Sequence, residues 1–332
     1  MIKKSFLFIL VSLFVSSLNA QMIPISTSDY GLKAYPISVR YQKYETDSTN
    51  KPKDQRSSFI DDYLMNFNEN RLLVEKINYI GGKNDRYSKF TYNVNRTLDK
   101  EEFFEPTNKI ISTISYSYAY LGRPSEVVAV EYPASLGGAN KMVSKQTYKW
   151  NEKGQLSEYS TFGDDATIQK TIKYFYGPQD SLIYTLTTFG YNRNIEKTVY
   201  NRDFNFFVKE MILYRNDSQV RRETYTLDDK NLIVNKKVYN GKDKLTLDYK
   251  YTYDEHGYMT SEIGVDPKGA WAIEYYYKYE KDQFFNWTKK TTFDGWQPKY
   301  VELRKFEYSN KQHFYDDLKD AATKKVVRER SE

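Results

Sequence analysis

Residues 245–259 read Leu245-Thr246-Leu247-Asp248-Tyr249-Lys250-Tyr251-Thr252-Tyr253-Asp254-Glu255-His256-Gly257-Tyr258-Met259. Leu245, Leu247, Tyr249, Tyr251 and Tyr253 alternate with Thr246, Asp248, Lys250 and Thr252. A period of two belongs to a strand, here with one aromatic and one polar face. Asp254 to Gly257 then supply turn formers, through local hydrogen bonds and tolerance of positive φ. Met259 opens a second strand, so the stretch is a β-hairpin.

The arrangement recurs along the chain. Taking the last aromatic or apolar residue before each turn as an anchor, Trp150 leads to Leu156, Tyr176 to Leu182 and Tyr200 to Phe206. Leu227 leads likewise to Ile233, Tyr253 to Met259 and Tyr279 to Phe285, always six positions on. The anchors are spaced by 26, 24, 27, 26 and 26 residues. Upstream, Phe67 with Leu73 and Tyr92 with Leu98 keep the offset, and Tyr120 with Val127 comes one position late. A fixed period marks a repeat architecture. The expected fold is all-β: an antiparallel meander of about nine β-hairpin repeats with a period of about 26. Some eighteen strands at ~4.8 Å would make a flat sheet ~85 Å wide. Sheets of that width curl, split or close. A curled or spiral sheet is expected, with Tyr174, Tyr249, Tyr251 and Tyr277 as core.

The two ends differ from the repeat region, 21–310. Residues 1–20 read as a secretory signal peptide: Lys3 and Lys4, an apolar run from Phe6 to Val15, then small residues up to Ala20. Cleavage is expected between Ala20 and Gln21, lowering the net charge from +6 to +4. The apolar run is too short for a transmembrane helix, which needs about 18 residues. In the charged tail, 311–332, Phe314, Leu318, Ala321, Ala322 and Val326 suggest a short helix capping the edge of the last strand.

Composition narrows the function. The chain has 332 residues, 28% charged and 17% aromatic, with 33 Tyr, and a mean hydropathy of −0.77. That excludes a helical membrane protein after the first segment, and so many aromatics exclude disorder. The absence of Cys excludes a disulfide framework, a thiol nucleophile and Cys-type metal sites. The weak basic excess does not indicate nucleic acid.

Tyr251-Thr252-Tyr253-Asp254-Glu255-His256-Gly257-Tyr258-Met259 resembles the YD repeat of Rhs-type secreted proteins. Tyr148-Lys149-Trp150-Asn151-Glu152-Lys153-Gly154-Gln155-Leu156 is similar. Asn286 to Thr291 looks like the strand after such a turn, with Phe285 where Gly is usual. The resemblance runs from about Met142 to Tyr308. It implies a short exported repeat protein of the kind found in envelopes of Bacteroidetes-like bacteria, serving as scaffold or binding surface. No part of the chain resembles a toxin domain.

Candidate sites are few. His256 lies in a turn and His313 in the tail, which speaks against a shared metal site. Asp164-Asp165 and Asp228-Asp229 read as solvent-facing turn pairs. No nucleophile-elbow, P-loop, zincin or EF-hand spacing occurs. No catalytic, metal or cofactor residue is therefore assigned, and no cofactor is expected. Tyr276, Phe175 and Trp296 stand off the regular aromatic face and could form a recognition platform. The expected role is a non-catalytic envelope or extracellular binding or structural module, located in the periplasm, at the outer-membrane periphery or outside the cell. Its expected partner is an envelope polysaccharide or another envelope protein. One alternative is a carbohydrate-active enzyme on the concave face. The other is an outer-membrane β-barrel; Glu196, Lys237, Lys289 and Arg304, in phase with the apolar side, count against it.

Overall fold

The computed structural model describes residues 26–47, 59–119, 122–132 and 141–309. They form twenty strands, and no helix occurs among the described residues. The first ten are β1 (Pro36–Glu45), β2 (Phe59–Phe67), β3 (Leu73–Ile80), β4 (Lys83–Tyr92), β5 (Leu98–Phe104), β6 (Ile110–Tyr118), β7 (Pro124–Glu131), β8 (Lys141–Trp150), β9 (Leu156–Phe162) and β10 (Ile168–Tyr176). The others are β11 (Leu182–Phe189), β12 (Ile195–Arg202), β13 (Val208–Arg215), β14 (Ser218–Leu227), β15 (Ile233–Asn240), β16 (Leu245–Tyr253), β17 (Met259–Val265), β18 (Trp271–Lys281), β19 (Trp287–Asp294) and β20 (Gln297–Tyr308).

Each strand pairs antiparallel with the next, and β1 also pairs with β20, Val39 opposite Phe306 and Tyr41 opposite Arg304. The sheet is therefore a closed barrel, and the expected curled or spiral sheet of about nine hairpins is wrong. Closure removes both edges, which an open sheet would leave as templates for pairing. β1 covers the edge of β20, the place assigned above to a C-terminal helix. That helix, residues 311–332, lies outside the described residues. So do the signal segment, with Ala20 and Gln21, and the anchor Tyr120.

The turns explain the period. At Tyr253, Gly257 N donates to Asp254 O at 3.0 Å and Asp254 N to Tyr258 O at 2.8 Å. Asp254 Oδ1 accepts from His256 N and Tyr258 N, both at 2.9 Å. Asn68, Asn151, Asp203, Asp228, Asn240, Asp266 and Asp282 hold their turns in the same way. The residue three further on takes positive φ whether it is Gly257, Arg71, Asn231 or Phe285. The Asx side chain thus supplies the local hydrogen bonding that fixes the turn, and glycine is optional. Asp203 and Asp282 thus move two anchors, to Arg202 with Val208 and Lys281 with Trp287. A third hairpin closes at Tyr118 with Pro124, where Ala119 stands at the Asx position.

The aromatic anchors also tie one unit to the previous one. Tyr92 donates its hydroxyl to Leu73 O at 2.7 Å, Tyr176 to Leu156 O at 2.9 Å and Tyr253 to Ile233 O at 2.9 Å. Trp150 Nε1 does the same to Pro124 O at 2.7 Å. Each acceptor sits where the preceding hairpin closes on a bulge and its carbonyl is spared from the ladder. An apolar ring with a polar tip suits such a position, which accounts for part of the Tyr content.

One face of the sheet is concave. Val39, Met65, Phe67, Leu73, Phe90 and Leu98, with Tyr63, Tyr92, Tyr116 and Phe306, converge on Tyr30 and Leu32 of the segment before β1. Side chains from seven consecutive strands, β20 and β1 to β6, can meet one short segment only from the inside of a curve. This is the principal apolar core, and it sits at one mouth of the barrel. Ser26 bridges Leu72 there, and Asn286 clasps the backbone of Lys33 at 2.6 and 2.7 Å.

Candidate functional site: the lumen wall

Twenty strands at ~4.8 Å give a girth of roughly 100 Å and a diameter of about 30 Å before tilt widens it. Eight strands already bring side chains into contact across a barrel, and sixteen or more leave a channel. The ring contacts between strands among the described residues join neighbouring or next-but-one strands, with none bridging the barrel. The inner face is accordingly a wall around a lumen, partly filled at one mouth by Tyr30 and Leu32.

Cross-strand register places Tyr148, Tyr174, Tyr200, Tyr225, Tyr251 and Tyr277 on this wall, on every second strand. All are half-buried rather than core, which corrects the reading of Tyr174, Tyr249, Tyr251 and Tyr277 above. Desolvation, first among the causes, pushes the Tyr174, Tyr225, Tyr251 and Tyr277 hydroxyls above the ordinary tyrosine range. They stay protonated hydrogen-bond donors.

Charged groups are threaded between the rings. Tyr225 donates to Glu223 at 2.5 Å, Arg221 pairs with the same carboxylate at 2.5 Å, and Lys236 lies 3.8 Å from it. Tyr41 donates to Glu302 at 2.8 Å, and Lys290 pairs with Glu302 at 3.0 Å. Lys76, Lys236 and Lys290 sit over the rings of Tyr63, Tyr249 and Tyr277 at 4.3, 5.1 and 5.0 Å. These cation–π contacts hold ammonium groups against a partly desolvated wall. The sequence showed the stripe but not the charges within it, because a one-residue shift at each bulge changes which residues share a face.

Glu101 lies under the inserted segment. Burial pushes its carboxyl from 4.5 up to about 7, against the opposing pull of the Ser88 hydroxyl and the Lys76 ammonium. Burial likewise raises Tyr30 and Tyr116 beside it and lowers Lys76. Between pH 4.5 and about 7 the folded chain holds a proton on Glu101 that the unfolded chain has released. Stability should therefore fall as pH rises through that window. Thermal melts should show a rise of about 1–3 kcal/mol in stability from pH 8 to pH 5. Glu101→Gln should flatten the rise; an equal rise in the variant would assign it elsewhere.

The remaining candidates are dispersed. His256 is in a turn, its Nε2 3.3 Å from Glu255 and its ring 4.9 Å from Phe285. His313 lies outside the described residues. Asp164 pairs with Lys141 at 2.9 Å, Asp165 caps Thr167 and Asp228 holds a turn. Among the described residues no group of three or more His, Asp or Glu could hold a metal. Trp296, 88% exposed, stacks on Tyr276 at 5.9 Å at one rim, and Phe175 stacks on Tyr184 at 4.3 Å on the outer face. Glu196 and Arg304 face the lumen, whereas Lys237 and Lys289 face outward, so these four do not share a face as expected.

The geometry defines a class: a closed, single-layer antiparallel β-barrel with a lumen. No family model matches the chain, and no curated protein does. Among solved structures it is similar to a porin-like protein from Bacteroides uniformis, at 10% identity and a TM-score of 0.34, covering 83% of this chain and 99% of that one. A porin-like protein from Bacteroides vulgatus follows at 8% identity and 0.28, covering 62% and 96%. A TcdB2-TccC3-Cdc42 structure matches at 10% identity and 0.25, over 70% of this chain and 15% of that one. At such scores the likeness is loose, and the barrel assignment stands on the strand pairing alone.

Proposed function

We propose that the chain is an exported envelope β-barrel that acts as a non-catalytic binding or structural module in an aqueous compartment, with its lumen as the binding surface. The observation that supports this is the outer face. Arg40 pairs there with Asp62 at 2.7 Å, Lys145 with Glu126 at 2.5 Å, Lys149 with Glu158 at 2.7 Å, Arg222 with Glu210 at 3.1 Å and Lys289 with Glu280 at 2.8 Å. A lipid-facing barrel wall needs an apolar band about 25 Å tall, and each Lys or Arg at its midplane costs about 2–4 kcal/mol. The outer wall lacks such a band. Kinship with YD-repeat proteins, and a polysaccharide or protein partner at the rim around Trp296, belong to the same proposal.

An outer-membrane barrel is the second reading. A closed antiparallel meander with an even number of strands, 7 to 12 residues each, is the topology such barrels use. Expression with residues 1–20 intact, followed by detergent phase partitioning, separates the two. Recovery in the aqueous phase supports the first reading. Extraction only with detergent overturns it in favour of the second.

A further inference from the structure

In β3, β9, β13, β15, β17 and β19, which follow Asx turns at one end of the barrel, the third residue after the closing position faces the lumen. In β3, β15 and β19, which open at Leu73, Ile233 and Trp287, that residue is Lys76, Lys236 or Lys290. Each of the three carries its ammonium group over a tyrosine ring. In β17, which opens at Met259, the equivalent residue is Glu262. It lies opposite Tyr251 of β16 and Tyr275 of β18. Compared with β15, where Lys236 lies opposite Tyr225 and Tyr249, the tyrosine walls are kept and the charge between them is reversed.

This carboxylate lacks the partner its neighbours have. Glu223 and Glu302 each pair with a cation, but among the described residues no Lys or Arg forms an ion pair with Glu262. Its one hydrogen bond is a long one, from the Tyr277 hydroxyl at 3.3 Å. Tyr251 beside it donates to no protein acceptor among the described residues. Two positions on, Gly264 presents no side chain; a Cβ there would lie 2.9 Å from the Tyr249 ring. The Tyr249 ring therefore lies across Gly264 and closes the recess beside Glu262 on that side. A half-buried carboxylate between aromatic faces, without an ion-pair partner, is a ready counter-ion for a small cation.

We propose that this recess binds a small organic cation, a protonated or quaternary amine, with Glu262 as counter-ion, Tyr251 as its aromatic wall, and Tyr275 and Tyr277, whose rings already carry Lys299 and Lys290, as its far side. The bound ammonium would take the place that Lys236 and Lys290 fill in the flanking units. The proposal rests on the lumen being open to solutes, as in the reading above.

The test is a titration of the mature barrel with tetramethylammonium, followed by tyrosine and tryptophan fluorescence, with methyl glucoside as a neutral probe. Wild type should bind the cation and not the glucoside. Glu262→Gln should weaken binding at least tenfold while melting within a few degrees of wild type. Tyr277→Phe, which keeps the ring, should retain most of the affinity. Absence of cation binding, equal binding by Glu262→Gln, or preference for the glucoside would each overturn the proposal. Should Glu262→Gln fail to fold, loss of affinity in Tyr251→Ala supports the site and unchanged affinity refutes it. The titration is run in buffer and in detergent, so a barrel that needs detergent defeats the reading above without deciding this one.

Discussion

Leu73→Ala is expected to destabilise the barrel by about 3–4 kcal/mol, within the usual range for emptying a fully buried leucine site. Leu73 has no exposed surface and lies where Phe67, Phe90 and Leu98 meet Leu32. Its neighbours cannot collapse into the gap, because each is fixed by a different strand. Its carbonyl also accepts the Tyr92 hydroxyl that ties one hairpin to the last. Tyr251→Ala should cost less, about 1–2 kcal/mol, although the ring is larger. Tyr251 is half-buried, so truncation removes contact with Tyr249 without opening a closed cavity. Chemical denaturation of both variants checks the contrast. If Tyr251→Ala costs as much as Leu73→Ala, the lumen wall is packed solid and is not a solute-lined surface.

That contrast marks how far the sequence could be read. Strand periodicity and turn chemistry are local, and Trp150, Tyr176, Leu227 and Tyr253 close their hairpins on the residue six positions on. Tyr200 and Tyr279 misled because an aromatic was taken as the marker. The marker is the Asx residue, and Asp203 and Asp282 set those turns two positions later. Closure was not legible. It depends on β1, a run from Pro36 to Glu45 that follows no Asx turn, finding a strand more than 250 residues away. Nothing local in Val39 or Tyr41 encodes that pairing.

The candidate site was half legible for a related reason. The tyrosine stripe follows from alternation within one strand. Which charges face it follows from register between strands, and each bulge resets that register. Glu262 and Lys290 are unremarkable polar residues until pairing places both on the lumen side. The inner core at the mouth was missed because Tyr30 and Leu32 belong to a segment without strand alternation. Its apolar side chains find partners only once seven strands curve around them.

Gly190→Ala is expected to cost about 3 kcal/mol or more, at the upper end of what overpacking does to a folded chain. A Cβ at Gly190 would stand 1.7 Å from the Ile168 carbonyl oxygen and 2.9 Å from its carbon. Both are backbone atoms, so no side chain can swing aside. Relief requires prying β11 from β10, where Gly190 N donates to Gln169 O at 2.9 Å and Phe189 faces Lys170. Gly257→Ala tests the other kind of glycine. Gly257 has φ +83° with nothing within 4 Å of its Cβ, and Arg71 and Phe285 hold the equivalent positive-φ position in other turns. That substitution should cost only about 1 kcal/mol of backbone strain. Urea midpoints of the two variants decide the matter. Equal midpoints would mean that β10 and β11 yield at this end of the barrel, and that Gly190 is a turn glycine like Gly257 rather than a point of enforced close approach.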